Sequence, residues 1–437
     1  MLGTLPSGWD IVSFESVLLG GTRNGIYKPK LHHGSGAKIV NMGELFAHRR
    51  LHAIAMKRLR VTQDELERFE LHQGDLLFAR RSLVAEGAGK CTLVCEVDEP
   101  TVFESSIIRA RPDPEIADSA FLFYLFSSPY GSHAMGAITR QVAVAGITGR
   151  DLAALSIPLP PLTVQRRIAG ILGAIDDKIE LNRRMNLTLE SIACAVFKSW
   201  FIDFDPVRKK MEGGEVGLPP DLAALFPSSL AERENGDVPQ GWSLGTLGDV
   251  GVRIRSQARP EELESGTPYF GLEHLPRRSI ALSDWGVADG VVSAKSRFVA
   301  GDLLFGKLRP YFHKVGPAPV DGVCSTDIVV VRPRRPTLGG FVLGHLSSAE
   351  FVDYASATSS GTRMPRTNWK DMAAYPVVMP PNDVVEALEA AVSGLLQRIR
   401  NNILESRRLA EARDALLPNL LSGELRSLTK TAPLEAR

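Results

Sequence analysis

The chain is poor in cysteine. Four in 437 residues, Cys91, Cys95, Cys194 and Cys324, are too few and too scattered for a disulfide framework. The one close pair is spaced C-x3-C, and no second pair or histidine cluster completes a zinc site, so ordinary buried thiols are expected and a bound metal is not. Long apolar runs are also missing, and nothing approaches the ~20 residues that span a bilayer. Met1 to Asp10 shows no basic segment followed by an apolar core, so no secretory signal is expected and the expected compartment is the cytoplasm. An excess of charge of either sign is absent too: 51 Lys plus Arg stand against 50 Asp plus Glu, for a net +1. That balance removes the usual compositional mark of a nucleic-acid binder, but binding a phosphate backbone needs a positive face rather than a positive sum.

Catalytic signatures are missing as well. An amino-methyltransferase carries a Pro-Pro-aromatic loop after Asn, Asp or Ser, whereas the three Pro-Pro pairs here follow Leu159, Leu218 and Met379. A restriction-type nuclease needs a Glu-x-Lys pair, and no lysine has Glu two residues before it. Asp176-Asp177-Lys178 is the nearest approach, and its place on a helix predicts a surface role. Gly89-Lys90 lacks both the upstream glycine and the following Ser or Thr of a phosphate loop, and Gly306-Lys307, though Gly301 stands at the required spacing, is followed by Leu308 instead of Ser or Thr. No Ser or Cys stands in a recognisable nucleophile context, so the chain is not expected to be an enzyme.

What is present is an internal repeat. Pro6, Gly8 and Trp9 recur as Pro239, Gly241 and Trp242. Gly74-Asp75-Leu76-Leu77-Phe78 recurs as Gly301-Asp302-Leu303-Leu304-Phe305, and Arg111-Pro112 as Arg332-Pro333. From Phe121 the offset settles at 220 residues, so that Ser127, Ser128, Asp151, Ala153, Ala154, Pro160 and Pro161 match Ser347, Ser348, Asp371, Ala373, Ala374, Pro380 and Pro381. Ordered matches with slowly shrinking offsets mark a duplicated domain with loop insertions. Each copy has short apolar runs punctuated by Gly and Pro, read as strands at Lys38 to Met42, Asp75 to Phe78, Ser106 to Ala110 and Ile328 to Val331. One helix is expected near Ala120 to Met135, with a counterpart near Phe341 to Ala355. The fold class is mixed α/β, and Gly-Asp-Leu-Leu-Phe reads as a turn entering a buried strand.

After each Pro-Pro the texture changes, and apolar residues fall into 4-3 spacing. The seam is Ile168, Leu172, Ile175, Ile179, Asn182, Asn186, Leu189, Ala193 and Val196 in the first copy. In the second it is Leu388, Val392, Leu395, Ile399, Asn402, Ser406, Leu409, Arg413 and Leu416. The shared register, with Asn182 and Asn402 at matching sites to fix it, predicts two long helices that pair as a coiled coil, antiparallel by preference. Antiparallel pairing would put the two modules at opposite ends of the rod. The expected organisation is a first α/β domain 1–157, helix 158–204, extended linker 205–237, second domain 238–377, helix 378–428 and a frayed tail 429–437.

Basic residues recur at matching places. Arg80 and Arg81 follow the first pentapeptide; Lys307, Arg309, Tyr311 and Lys314 follow the second. Arg140 and Arg150, and then Arg363, Arg366 and Lys370, form another basic loop ahead of each Pro-Pro. Guanidinium groups bind guanine edges in bidentate fashion and lysines neutralise phosphates, so this set is the candidate DNA contact, with solvated surface charge as the alternative. Arg49, Arg50, Lys57, Arg58 and Arg60 form a weaker candidate, offset by the acidic run Asp64 to Glu70.

On these residues the chain resembles the specificity subunit of type I restriction-modification systems. The resemblance rests on Pro6-x-Gly8-Trp9 and its repeat, both Gly-Asp-Leu-Leu-Phe motifs, and Pro158 to Leu162 through Gln165, Ile168, Leu172, Ile175 and Asp176. It continues through Asn182 to Trp200-Phe201-Ile202-Asp203-Phe204-Asp205-Pro206, with Lys307 to Tyr311 and Gly322 to Asp327 in the second copy. The resemblance implies that each α/β target-recognition domain reads one half of a split, asymmetric DNA site and that an antiparallel coiled coil sets the gap. It also implies docked methyltransferase subunits that modify adenine with S-adenosylmethionine, and ATP-driven, Mg-dependent restriction subunits, with no cofactor on this chain. The second copy departs from the pattern in lacking the counterpart of Gln165 and in placing Arg413 in the seam. A specificity module of another phage-defence modification complex, or a scaffold that binds only proteins, are the alternatives.

Overall fold

The computed structural model describes residues 8–82, 87–140, 145–233 and 236–421. Pro6 and the tail beyond Leu428 lie outside the described residues. The chain divides into two compact units, one of Met1–Asp177 with Leu409–Arg437 and one of Lys178–Arg408. The boundaries therefore run through the long helices, so that each unit holds part of both. Among the described residues no helix is long and apolar enough to cross a membrane.

In the N-terminal unit the strand Leu76–Ala79 is the centre of a five-stranded sheet, flanked by Ile107–Pro112 and Cys91–Val94, with Leu18–Asn24 and Arg50–Leu51 outside them. A three-stranded sheet of Lys57–Leu59, His33–Val40 and Thr101–Phe103 stands beside it. A two-stranded ladder joins Asp10–Ser13 to Ser156–Leu159 and so ties the start of the domain to its end. The C-terminal unit repeats the plan. Leu303–Gly306 lies between Ile328–Pro333 and Val315–Pro317, Lys295–Phe298 and Gly322–Cys324 belong to a second sheet, and Ser243–Thr246 pairs with Pro376–Met379.

The repeated motifs turn out to be joints of this plan. Gly74 and Gly301 sit at φ +90° and +91°, a left-handed turn open to glycine, and every residue of the strand that follows is buried. Asp75 accepts two bonds from Arg111, 2.6 and 2.8 Å, and one from the His72 amide, 2.8 Å. Asp302 accepts the same two from Arg332, 2.6 and 2.8 Å, and one from the Val299 amide, 2.9 Å. The pentapeptide and the distant Arg-Pro are thus one device, a buried carboxylate under a guanidinium fork that locks adjacent strands. Gly8 and Gly241 are left-handed as well, φ +85° and +82°, and turn Trp9 and Trp242 inward onto Phe121 and onto Phe201, Phe204 and Phe226.

Two expectations about secondary structure need correction. Each helix expected after the sheet is two helices, Ser119–Ser127 and Pro129–Ile138, repeated as Gly339–Leu346 and Ala349–Ala357. Ser128 and Ser348 break them, because each hydroxyl accepts from the amide three residues on, at 3.2 and 3.1 Å, and starts a new helix. The segment 205–237 is not an extended linker: it forms helices at Asp205–Met211 and Pro220–Ala224, and Val207 and Phe226 are buried in the C-terminal core. Trp200, Phe201 and Phe204 gather that segment, with Trp200 and Phe226 ring centroids 5.2 Å apart.

The long helices run Leu162–Phe201 and Asn382–Leu421, 40 residues each, or about 60 Å at 1.5 Å per residue. Within the C-terminal unit Asn182 donates to Glu405 at 2.8 Å and Ser406 at 3.2 Å, and Asn402 donates to Asn186 at 2.9 Å. One number rises as the other falls, so the segments are antiparallel. Within the N-terminal unit Ile168, Leu172, Leu417 and Leu421 are buried in one cluster with Phe121 and Phe126. There Asp176 meets Arg413 at 2.6 Å, antiparallel again. Asp176 is therefore no surface residue: it is 8% exposed and also accepts from the Tyr124 hydroxyl at 2.7 Å. Gln165 anchors the first helix by accepting from the Asp118 amide at 2.8 Å and donating to the Pro160 carbonyl at 2.8 Å. Its counterpart Val385 is buried among apolar side chains, and Glu389 supplies the anchor by accepting from Gly340 at 2.7 Å.

Two outcomes follow from this packing. Removing Arg111 leaves a fully buried carboxylate unmatched, so Arg111→Ala should lose about 3 kcal/mol in urea unfolding. The fork on Asp302 is more open to water, with the Arg332 side chain 44% exposed, and Arg332→Ala should lose roughly half as much. Equal losses would show that the two forks carry the same load. His345 is wedged against the rings of Phe197 and Phe341, centroids 4.9 and 4.7 Å away, and burial pushes its imidazole down from 6.5 to about 3. The unfolded chain takes up a proton below pH 6.5 that the folded unit refuses. Stability is then full above about 6.5 and falls toward pH 3 by ~1.4 kcal/mol per pH unit. In His345→Leu that part of the pH dependence should vanish from the urea midpoint; an unaltered slope would mean that the folded imidazole protonates freely.

Candidate nucleic-acid interface

The basic residues expected from the sequence are brought together in each unit by the same backbone frame. In the N-terminal unit Arg80 leaves the buried strand, donates its amide to Ser106 at 2.8 Å and accepts at its carbonyl from Ile147 at 3.0 Å. Arg81 pairs with Gly146 in a short antiparallel ladder, and Arg140 bonds Gly146 from the other side, at 2.9 and 3.1 Å. Arg150 is exposed on the helix Gly149–Ala153, which Thr148 caps. Four guanidinium-bearing residues thus surround the Gly146–Ile147 backbone. Arg140 makes an ion pair with Asp151 at 2.8 Å but stays 68% exposed.

The C-terminal unit repeats these bonds. The Lys307 carbonyl accepts from the Thr367 amide at 3.1 Å, in the place of Arg80 and Ile147. Ser360 and Arg366 exchange two backbone bonds, at 3.0 and 2.9 Å, in the place of Arg140 and Gly146. Lys370 occupies the position of Arg150 on a short helix, Trp369–Ala373, capped by Asn368. The frame is constant and the charges move within it: the hairpin carries its arginine on one strand in the first copy and on the other in the second. Arg366 pairs with Asp327 at 3.2 Å, and Arg363 is exposed.

Around Arg309 the frame is strained. Arg278, Arg309 and His313 hold φ of 54°, 52° and 52°, and Phe204 is the one other non-glycine residue at positive φ among the described residues. A left-handed backbone at a residue with a Cβ costs on the order of 1 kcal/mol, and such strain clusters at functional sites. Hydrogen bonds fasten these turns: the Arg278 amide donates to the His313 carbonyl at 2.8 Å, and the Arg309 amide to the Pro365 carbonyl at 2.7 Å. The Arg277 guanidinium lies 3.9 Å from the centre of the Phe312 ring, with Arg309 at 5.9 Å and the exposed Tyr311 ring beside it at 4.9 Å. Arg309 Nε is buried and has no hydrogen-bond partner among the described residues.

Arg277, Arg278 and Phe312 were not on the sequence-derived set. The doubled arginine after Pro276 was the available signal, but only folding carries that loop to residues 309–313. The loop is fastened from behind by the long helices of the same unit. Glu190 accepts from Ser279 at 2.9 Å and from the Ile280 amide at 2.7 Å, and the Arg407 guanidinium lies 4.0 Å from the Trp285 ring centre. Burial raises the Glu190 carboxyl, and these two bonds hold it down in part. Lys314 turns inward to the Leu272 carbonyl, and burial lowers its amine. In the weaker patch, Arg50 is held by Asp177 at 2.7 Å and Arg58 by Glu99 at 2.7 Å, so much of its charge is neutralised locally.

Residues 6–191 match the family model of the type I restriction modification DNA specificity domain. The chain is 24% identical over 426 residues to the type I restriction enzyme HindI specificity subunit of Haemophilus influenzae, covering 81% of this chain and 87% of that protein. It is 22% identical over 444 residues to the MjaIX specificity subunit of Methanocaldococcus jannaschii, covering 97% and 95%. Its fold is similar to that of the crystallised S subunit of a type I restriction-modification system from M. genitalium, with a TM-score of 0.53 at 16% identity, covering 96% of each chain.

The strained loop separates stability from binding. Arg278→Gly relieves a left-handed backbone and removes an exposed guanidinium, so the unfolding midpoint should rise by the equivalent of about 0.5 to 1 kcal/mol while affinity for duplex DNA falls. A lower midpoint in thermal unfolding would show that the side chain, not its backbone, holds the loop.

Proposed function

We infer that the chain is a member of the type I restriction-modification specificity-subunit family and the DNA-reading subunit of such a complex. Each unit reads one half of a bipartite, asymmetric DNA site, and the length of the paired helices sets the gap between the halves. The observation that carries this reading is the duplicated frame that presents Arg80, Arg81, Arg140 and Arg150 in one unit and Lys307, Arg309, Arg363, Arg366 and Lys370 in the other. A frame kept constant while its charged side chains change position suits two modules that dock on DNA alike and read different bases.

The chain contributes recognition, and the chemistry belongs to its partners. Two methyltransferase subunits docked on the helices modify adenine with S-adenosylmethionine, and restriction subunits using ATP and Mg join for cleavage. Such a division of labour fits a chain whose sequence carries no phosphate loop, nuclease pair or methyltransferase loop. Inside the recognition units, arginines beside exposed aromatic rings suit base edges, while Lys307 and Lys370 suit phosphates.

Arg309→Ala should weaken binding by about 1 to 3 kcal/mol at one half-site if the side chain reads a base, or lower binding to all sequences if it holds phosphate. Electrophoretic shift with the methyltransferase present, on DNA with each half-site varied, separates the two, and unchanged binding removes Arg309 from the contact surface. Mapping methylated adenines genome-wide in cells with and without the chain tests the whole reading: loss of a split motif is the expected result, and an unchanged methylome overturns it.

A further inference from the structure

The buried triad Tyr124–Asp176–Arg413 in the N-terminal unit has no counterpart in the duplicated site of the C-terminal unit. The Asp176 carboxylate is met by Arg413 at 2.6 Å and by the Tyr124 hydroxyl at 2.7 Å, and the Asp176 and Arg413 side chains are 9% and 8% exposed. Moving each position by the 220-residue offset of the repeat gives Gly344, Leu396 and Ala193. Those three line one small apolar space in the C-terminal unit, together with Phe197 and Val392. There Phe197 fills the volume that Tyr124 occupies in the other copy: a Cβ on Gly344 would fall 2.1 Å from the Phe197 ring. The counterpart of Phe197 is the smaller Leu417, buried in the N-terminal cluster. One docking site is therefore acid, base and phenol, and its duplicate is leucine, alanine and glycine around a phenylalanine.

We propose that this exchange is a pairing key, by which the N-terminal unit accepts the second long helix and rejects another copy of the first. The two helices share a heptad register, and both carry Asn at the same seam site, so that site gives little ground for telling one helix from the other. If the first helix met a second copy of itself in the same antiparallel register, Asp176 would face Ala193 and Tyr124 would lose no neighbour but gain none for the acid. A carboxylate buried without its guanidinium is strongly disfavoured. If the second helix met itself, Arg413 would face Leu396 and lose its buried partner Asp176, keeping only the exposed Asp414 of its own helix, at 2.8 Å. Asp176 and Arg413 thus favour unlike halves over like ones, a specificity role distinct from raw stability, since a buried ion pair adds little over a packed apolar contact. The order of the two recognition units in one chain is then enforced by the seam, whatever DNA each unit reads.

The test separates pairing choice from folding. A protease site placed in the exposed Gly213–Gly217 loop of the full-length chain leaves, once cut, two halves held by their own contacts and free to exchange. Native mass spectrometry then counts particles with two N-terminal halves. The expected result is that Tyr124→Phe/Asp176→Leu/Arg413→Ala, which makes the seam apolar throughout, raises that fraction about tenfold over the unmutated chain. An equal fraction in both proteins overturns the proposal. In the uncut chain, Arg413→Ala alone should raise hydrogen exchange across 409–421 at least about tenfold by leaving Asp176 unmatched; unmutated protection there overturns it as well, and this arm decides even if the triple variant does not assemble.

Discussion

A carboxylate withdrawn from water must be met by a cation or by several donors, and this chain withdraws three of consequence. Asp75 and Asp302 each sit under an arginine fork at the head of a buried strand. Asp176 sits in a helix seam beneath Arg413 and Tyr124. The first two are the same solution used twice, and they lock the central strands from which Arg80 and Lys307 emerge. The third occurs once, and it marks the difference between two otherwise matching docking sites. Desolvation of a negative charge is costly enough that each of these acids dictates which residue far along the chain must stand beside it.

On that scaffold the duplicated loops diverge in a controlled way. The backbone bonds Ile147 to Arg80 and Thr367 to Lys307 are equivalent, as are the Arg140–Gly146 and Ser360–Arg366 exchanges. Side chains hung on this frame differ, and in the C-terminal unit three left-handed residues store strain where Arg309 and Arg278 are displayed. A rigid frame with variable, partly strained edges is a physical basis for keeping a binding geometry while changing what is bound. The same unit fastens its arginine loop to its own helices through Glu190 and Arg407, so the interface and the seam are mechanically joined there.

Much of this was legible beforehand because duplication is written in residue order. Gly-Asp-Leu-Leu-Phe, the Arg-Pro pairs and the heptads located the buried strands and both long helices, since strand burial and helical period leave direct traces in apolar spacing. Less legible were contacts whose partners lie far apart. Nothing local in Asp176-Asp177-Lys178 distinguishes an exposed run from one whose first acid is buried, because the answer depends on Arg413. Residues 205–237 read as a linker from their Gly and Pro content, yet Trp200, Phe201 and Phe204 draw Val207 and Phe226 into a core. Ser128 and Ser348 broke each expected helix in two through a single side-chain bond.

By itself, then, the sequence determined the repeat, the mixed α/β class, the presence of two long helices and of basic residues at matching places, all of which follow from short-range periodicity and composition. Only the tertiary structure decided which of those charges share a frame, that Arg277 and Arg278 join Arg309 and Phe312, and that Asp176 is a seam residue. The reason is that charge and burial are properties of neighbourhoods: a guanidinium becomes part of an interface, and a carboxylate part of a core, only when folding sets its distant partner within about 3 Å.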